Sequence, residues 1–551
     1  MAKPACLSRL WQLLVLSVVV SGCAESAGPL ASIERAPSIA EAQGQSQDDP
    51  GLRMRLALRA RPDAALERMV ADHGNIVGIA FRQPGSARGV DDRGRSLVPP
   101  DVAATRANDV AALASRVLYR FRDLPAMLVE LPNPGIATQL RRMPWVDYVV
   151  PNTALLSSDV VQGCTPFQMA QQIVHWNVTR VRADLAWSQA TGTNGELLVL
   201  DDGMDLSQSY PNGWQDWPWN SGHSYGAAGV GSPTGAHGTL VMSAAVARNN
   251  GIGIVGIAPG AVLSRGDIAG VGGTTAWQNA AAWIINAAVP QTKVVSISYS
   301  SKLTYEPPDF ALLHDAIINA YYQKGIIIVA STGNQQSATI QSYPARWPEV
   351  IGVGGSGHND EYVLNNYAPG NVELAAPAVD VGVICQGGGT QGTASGTSFA
   401  TPLVAGAVML LRQKYPSYSN DWVRSRLRNY AVPMANSQKS GAGRLDVLGA
   451  LGTPPPPPPP PPFTASILGP TEIAPLAVCS WLAGASYGTE PYTYRWYRNG
   501  ALVSTTADYT AGMNGASSFD LRLDVTDAIG RLAMDLITVT NTGVGECLLA
   551  E

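Results

Sequence analysis

The sequence predicts an α/β chain built on a mostly parallel central sheet, with an α+β unit ahead of it and a β-sandwich behind it. Three observations predict this. Glu196-Leu-Leu-Val-Leu200 and the run inside Gly325-Ile-Ile-Ile-Val-Ala-Ser-Thr-Gly-Asn334 are unbroken apolar stretches, the pattern of strands covered on both faces in a parallel sheet. Upstream, Pro125-Ala-Met-Leu-Val-Glu-Leu131 and Trp145-Val-Asp-Tyr-Val-Val-Pro151 read as strands around a helical spacing at Ile136-Ala-Thr-Gln-Leu-Arg-Arg-Met143. Downstream, Pro491-Tyr-Thr-Tyr-Arg-Trp-Tyr497 and Phe519-Asp-Leu-Arg-Leu-Asp-Val525 alternate, and Asn499-Gly500 offers a hairpin turn.

Composition bounds the rest. A chain of 551 residues exceeds one compact domain, so several units are expected. Gly (56) and Pro (40) are abundant, which predicts many tight turns and at least one linker. Only 14% of residues are charged and the net charge is -5. With no basic stripe to neutralise phosphates, nucleic acid is excluded as a partner.

Taken in order, Lys3 and Arg9 precede the apolar run Leu10–Val20, too short and too one-sided to span a membrane, so residues 1–22 read as an export signal. The run ends in Val20-Ser-Gly-Cys23, which resembles the bacterial lipobox and implies a lipid on Cys23. Such an anchor would hold the chain on a membrane surface without crossing it. Ala24 is not the Asp of inner-membrane retention, so the expected destination is the outer membrane or cell surface, or secretion. Residues 23–50, rich in Ser, Ala, Gly and Gln, read as a disordered linker.

The chemistry centres on Gly392-Thr-Ala-Ser-Gly-Thr-Ser-Phe-Ala-Thr-Pro-Leu-Val-Ala-Gly-Ala-Val-Met-Leu-Leu411. A loop of small residues runs into an apolar helix, which puts Ser398 on the first turn, where N–H donors and the helix dipole favour developing negative charge. Pro402 is tolerated close to that start, and Ala400, Ala405, Gly406 and Ala407 allow close packing. Asp201 stands at the carboxyl end of the strand Glu196–Leu200, where chemistry collects in open α/β sheets. His237, one of six histidines, opens a helix.

These pieces share a resemblance. Asp201-Asp-Gly-Met-Asp205, the run from Ala236-His-Gly-Thr-Leu to Gly260, and Gly396-Thr-Ser-Phe-Ala-Thr-Pro402 resemble, in this order, the aspartate, histidine and serine motifs of the subtilisin-like serine peptidases. The resemblance implies a three-layer fold over 161–450 and an α+β propeptide, inhibitor and folding aid, over 51–160, processed between Asn152 and Cys164. It implies Ser398 as nucleophile, His237 as general base then acid, and Asp201 as the carboxylate that orients the imidazole. Asn334 and the Ser398 N–H would form the oxyanion hole. Lys293-Val-Val-Ser-Ile-Ser-Tyr-Ser300 stands where the family pairs with substrate backbone, with Ser298, Tyr299 and Ser300 lining the pocket. Ser300 replaces a usual Gly, which narrows that pocket, and Asp202 replaces a usual Thr or Ser. No cofactor is required for the chemistry. A structural calcium is allowed, held by Asn250 and the carbonyls of Arg248, Ile252 and Ile254, although Tyr210 stands where a coordinating Asp is usual.

Of six cysteines, Cys6 leaves with the signal. For an exported chain, Cys164 with Cys385 and Cys479 with Cys547 are the economical bridges, one in each unit. Residues 451–462 contain nine consecutive prolines, Pro454–Pro462, a semi-rigid spacer of about 28 Å. Val525-Thr-Asp-Ala-Ile-Gly530 resembles PKD and related immunoglobulin-like modules, so 463–551 is expected to be such a sandwich, used for attachment or as a spacer.

The expected activity is that of an exported serine endopeptidase acting on polypeptides through an acyl-enzyme and made as a self-processed zymogen that its own propeptide inhibits. An α/β-hydrolase esterase is excluded, because Ser398 lacks the Gly-x-Ser-x-Gly elbow and the order of the three residues differs. The rival from another class is a non-catalytic binding or adhesion protein on a peptidase scaffold.

Overall fold

The computed structural model describes residues 50–541 apart from 85, 157–159, 167–171, 205–219, 227–235, 269–274, 302–306, 386–389, 453–462, 476, 487, 514 and 529. Cys23, Tyr210, Cys547 and the proline run therefore lie outside the described residues. The chain forms two compact units.

One unit runs to Thr153 and includes Trp277–Ala287 and a stretch ending at Asn319. Its elements are α1 (Pro50–Ala60), α2 (Asp63–Asp72), β1 (Ile76–Phe81), α3 (Pro100–Ala111), β2 (Arg116–Arg120), β3 (Ala126–Glu130), α4 (Gly135–Arg141) and β4 (Val146–Pro151). The strands form an antiparallel sheet in the order β2-β3-β1-β4. Leu66, Val70, Val77, Ile79, Met127, Val129 and Leu140 build its core. Arg55 on α1 is buried. Its guanidinium donates to Asp147 at 3.1 Å and to Asp315 at 2.7 Å, while the Tyr148 hydroxyl reaches Asp315 at 2.5 Å. A buried charge persists only when paired in this way.

The other unit holds β5 (Ala154–Leu156), β6 (Val160–Pro166), β7 (Gln172–Ile173), β8 (Glu196–Asp201), β9 (Asn220–Gly226), α5 (Ala236–Val246), β10 (Gly253–Ile254), β11 (Val262–Asp267), β12 (Thr275–Trp277), β13 (Thr292–Ile297), β14 (Ser300–Ser301), β15 (Ile327–Ser331), β16 (Val350–Ser356), β17 (Tyr362–Val363), β18 (Leu374–Pro377), β19 (Val381–Ile384), β20 (Thr390–Ser395) and α6 (Thr397–Lys414). Its main sheet has eight strands in the order β17-β16-β15-β13-β8-β11-β9, with β18 also on β16. Only the β16–β17 pairing is antiparallel. Because β8 is flanked by β13 and β11, all six of its residues are buried, as its apolar run requires. Helix α6 packs on β13, β15, β16 and β18 and touches α5. Leu197, Val199, Val294, Val329, Leu403 and Val408 share one core there.

Lys293–Ser300, read from the sequence as one strand, is two. Thr292–Ile297 lies inside the sheet between β8 and β15, whereas Ser300–Ser301 leaves it and pairs with β5. Ser298 and Tyr299 make the turn between them.

Beyond the proline run are β21 (Thr464–Leu468), β22 (Glu472–Ile473), β23 (Val478–Ser486), β24 (Thr493–Arg498), β25 (Ala501–Ser504), β26 (Asp508–Gly512), β27 (Ser518–Thr526) and β28 (Leu532–Asn541). A three-stranded sheet, β21-β23-β26, and a five-stranded one, β22-β28-β27-β24-β25, share a core of Trp481, Trp496, Phe519, Leu521 and Val539. Asn499 and Gly500, both at positive φ, turn β24 into β25. Among the described residues no helix is long and apolar enough to cross a membrane.

Candidate active site

Asp201 is the last residue of β8, fully buried at the carboxyl edge of the sheet. Its Oδ1 accepts from His237 Nδ1 at 2.7 Å and from the Asp202 N–H at 2.9 Å. A carboxylate on Nδ1 fixes the ring's tautomer and leaves Nε2 as the working nitrogen. The other oxygen, Oδ2, is buried and accepts from no donor among the described residues.

His237 is the second residue of α5, a helix buried almost all round. Its backbone is held from below. Asp202 accepts the His237 N–H at 3.2 Å through Oδ2 and the Gly238 N–H at 2.6 Å through Oδ1. The carboxylate thus satisfies two of the donors that a helix start leaves open. Gly238 is required by this approach, since a Cβ there would lie 2.0 Å from the Gly203 carbonyl. Burial, and then the neighbouring Asp201 charge, push the Asp202 carboxyl up to about 7, against the opposing pull of those two N–H groups and of His237. Asp267, opposite Asp201 on β11, is raised by burial as well. The imidazole packs edge-on to Tyr299 (centroids 5.6 Å apart) and 5.8 Å from the ring of Phe399, next in the chain to Ser398.

Ser398 is the second residue of α6 and almost wholly buried, so its N–H faces out of the helix's amino end. Gly396 caps the helix at φ 153°, a conformation that suits glycine. Pro402 lies four residues after Ser398 and has no N–H to offer the Ser398 carbonyl. Ser298 supplies the missing donor: its hydroxyl reaches that carbonyl at 2.8 Å, and in return the Ser398 hydroxyl donates to the Ser298 carbonyl at 3.1 Å.

Asn334 follows β15. Its Oδ1 accepts from the Thr397 N–H and from Thr397 Oγ1, both at 2.8 Å. An N–H can only donate, so the oxygen end of the amide is fixed against α6 and the NH2 end is its donor end. Ser298, Tyr299 and Ser300 are all buried beside these groups. Tyr299 turns its ring to the imidazole, and Ser300 Oγ lies 3.1 Å from where a Cβ on Gly333 would stand.

The loop around Asn250 is organised by Gln172 of β7, a residue that the motif reading did not single out. Gln172 Oε1 accepts from the N–H groups of Asn250 (2.9 Å) and Gly251 (2.8 Å), and its Nε2 donates to the carbonyls of Ile252 (3.2 Å) and Gly253 (2.9 Å). Asn250 Oδ1 accepts from the Ile252 N–H at 3.3 Å. Of the four oxygens expected to hold calcium, the Ile252 carbonyl and Asn250 Oδ1 are each engaged by an N–H donor. Among the described residues no group of three or more His, Cys, Asp or Glu could hold a metal.

Cys164 of β6 and Cys385, which follows β19, form a disulfide. Cys479 is disulfide-bonded too.

A model of the subtilase family matches residues 195–450. An alkaline protease of Alkalihalobacillus alcalophilus is 28% identical over 395 residues, 69% of this chain and 97% of the relative. Subtilisin BL of Lederbergia lenta is 32% identical over 274 residues, 49% of this chain and 96% of its own length. Subtilisin E of Bacillus subtilis is 30% identical over 293 residues, 51% of this chain and 71% of the relative. The matched span runs from the strand that ends in Asp201 to beyond the helix whose second residue is Ser398. The chain therefore belongs to the subtilase family and is a serine endopeptidase.

Proposed function

We propose that this endopeptidase works through Asp201, His237, Ser398 and Asn334, and that it is exported as a zymogen that processes itself. The observation that carries the reading is the 2.7 Å contact between buried Asp201 and His237, with the imidazole packed against the residue next to Ser398. His237 takes the proton of Ser398 as its oxygen attacks a peptide carbonyl, then gives it to the leaving amine. The Asn334 amide and the Ser398 N–H hold the oxyanion. Unfolded polypeptide pairs by its backbone with β14, and Ser298 and Ser300 shape the pocket beside the bond to be cut.

The unit built on β1–β4 is the propeptide, which inhibits the enzyme until it is released. Cys23 is lipidated, which places the enzyme on a bacterial outer membrane or cell surface. The two-sheet module after residue 463 is a PKD-like attachment domain, with Cys479 bridged to Cys547. The Asn250 loop is closed by the Gln172 amide in the place of a structural calcium, and no cofactor takes part in the chemistry. A fluorophosphonate probe tests the central claim: it should label the wild type and not Ser398→Ala. Equal labelling of both would favour the non-catalytic binding protein.

A further inference from the structure

Asp201 meets its neighbours through one oxygen. Oδ1 takes the His237 ring and the Asp202 N–H, whereas Oδ2 is buried and accepts from no donor among the described residues. A carboxylate oxygen buried in that condition carries a large desolvation penalty. The next strand presents a second carboxyl in the same condition. In the parallel pair of β8 and β11, Asp267 stands directly opposite Asp201, so both side chains leave the same face of the sheet on strands about 4.8 Å apart. Asp267 is buried too, and its Oδ1 has no partner among the described residues either.

The groups that surround the pair leave these two oxygens to each other. Asp202 turns both of its oxygens to the N–H groups of His237 and Gly238. Arg265, two residues before Asp267, lies 3.9 Å from the other Asp267 oxygen, Oδ2, and donates through Nε to Ser224 Oγ at 2.5 Å. On the far flank Gly226 of β9 is opposite Asp267 and brings no side chain. Two ionised carboxylates one strand apart and away from water repel, so one of them keeps its proton. Burial raises the Asp267 carboxyl, against the pull of Arg265 and with the help of the Asp201 charge. Asp201, held by an imidazole and an N–H, is the better anion of the two.

We propose that Asp267 is a positioning residue of this enzyme: as a neutral acid it donates its carboxyl proton to Asp201 Oδ2. This role rests on the assignment of Asp201 as the carboxylate that orients His237. One proton then satisfies both orphan oxygens and fixes the plane of the Asp201 carboxylate, so that Oδ1 stays aimed at His237 Nδ1. It also draws negative charge away from Oδ1. Imidazolium at His237 is less favoured as a result, and the ring is free to act as a base at lower pH.

Asp267→Asn is a neutral donor at every pH and Asp267→Leu is neutral without a donor, so the kcat/KM pH profiles of the two, normalised by fluorophosphonate titration, test the contact. Asp267→Leu should lose about tenfold in kcat/KM and move the acidic limb up by about half a pH unit, because Asp201 then keeps its full charge. Asp267→Asn should recover most of that rate and hold the limb at its wild-type position. A limb that moves down in both variants would mean that Asp267 is an anion in the native enzyme, and a limb unmoved in both would mean that it has no hold on Asp201. Either result overturns the proposal. A second measurement does not depend on the leucine variant folding. The infrared difference spectrum, wild type minus Asp267→Asn near neutral pH, should show the C=O stretch of one protonated carboxyl, and its absence would overturn the proposal by itself. Full activity in Asp201→Asn would instead remove the orienting role of Asp201, a separate failure.

Discussion

At Asp202 a single carboxyl group serves a helix start and a titrating neighbour together. It anchors two N–H groups in the first turn of α5, while burial and then the Asp201 charge push its carboxyl up to about 7. Its ionised form favours imidazolium at His237, which keeps the base occupied to higher pH. Asp202→Asn should therefore move the acidic limb of the kcat/KM profile down by about half to one pH unit. A limb that stays in place would remove Asp202 from the titration. The same residue bears on stability with a definite sign. Its folded pKa lies above the ordinary 3.8, so the native state binds the proton more tightly than the unfolded chain. Stability from this group is present below pH 4 and is lost as pH rises toward 7. Urea midpoints measured at pH 4 and pH 7.5 should converge in Asp202→Asn relative to wild type.

At the scale of elements, the Gln172 side chain makes four hydrogen bonds that tie β7 to the loop before and within β10. Gln172→Ala should cost about 1–3 kcal/mol, and a chelator should leave the thermal midpoint of the wild type unchanged. A chelator-induced drop of several degrees would reinstate the metal. Elements carried by their own pattern were legible in the sequence. β8 and β15 are apolar throughout because both faces are covered, and the Asn499-Gly500 turn is local chemistry. That Asp201 ends a strand and that His237 and Ser398 stand in the first turns of helices was legible for the same reason. What the sequence did not carry was contact made by distant partners. Ser298 finding the Ser398 carbonyl, Thr397 fixing the Asn334 amide and Gln172 closing its loop all join residues at least 60 positions apart. The break after Ile297 belongs here too. Lys293–Ser300 keeps one alternating look, but Ser298 leaves the sheet to meet α6.

Across the whole molecule, the Cys164–Cys385 bond closes a loop with a sequence separation of 221 residues. Such a closure restricts the unfolded chain, so reduction should lower stability by about 2–5 kcal/mol, read as a shift of the denaturant midpoint with and without reductant. An unchanged midpoint would mean that the loop ends are held by packing alone. The loop encloses Asp201, His237 and Asn334, while Ser398 lies just outside it, 13 residues past Cys385. A proteolytic enzyme spends its life among copies of itself, and its surface turns are their nearest prey. One stray nick anywhere inside this ring would leave the severed halves fastened together, so a wounded copy could go on working.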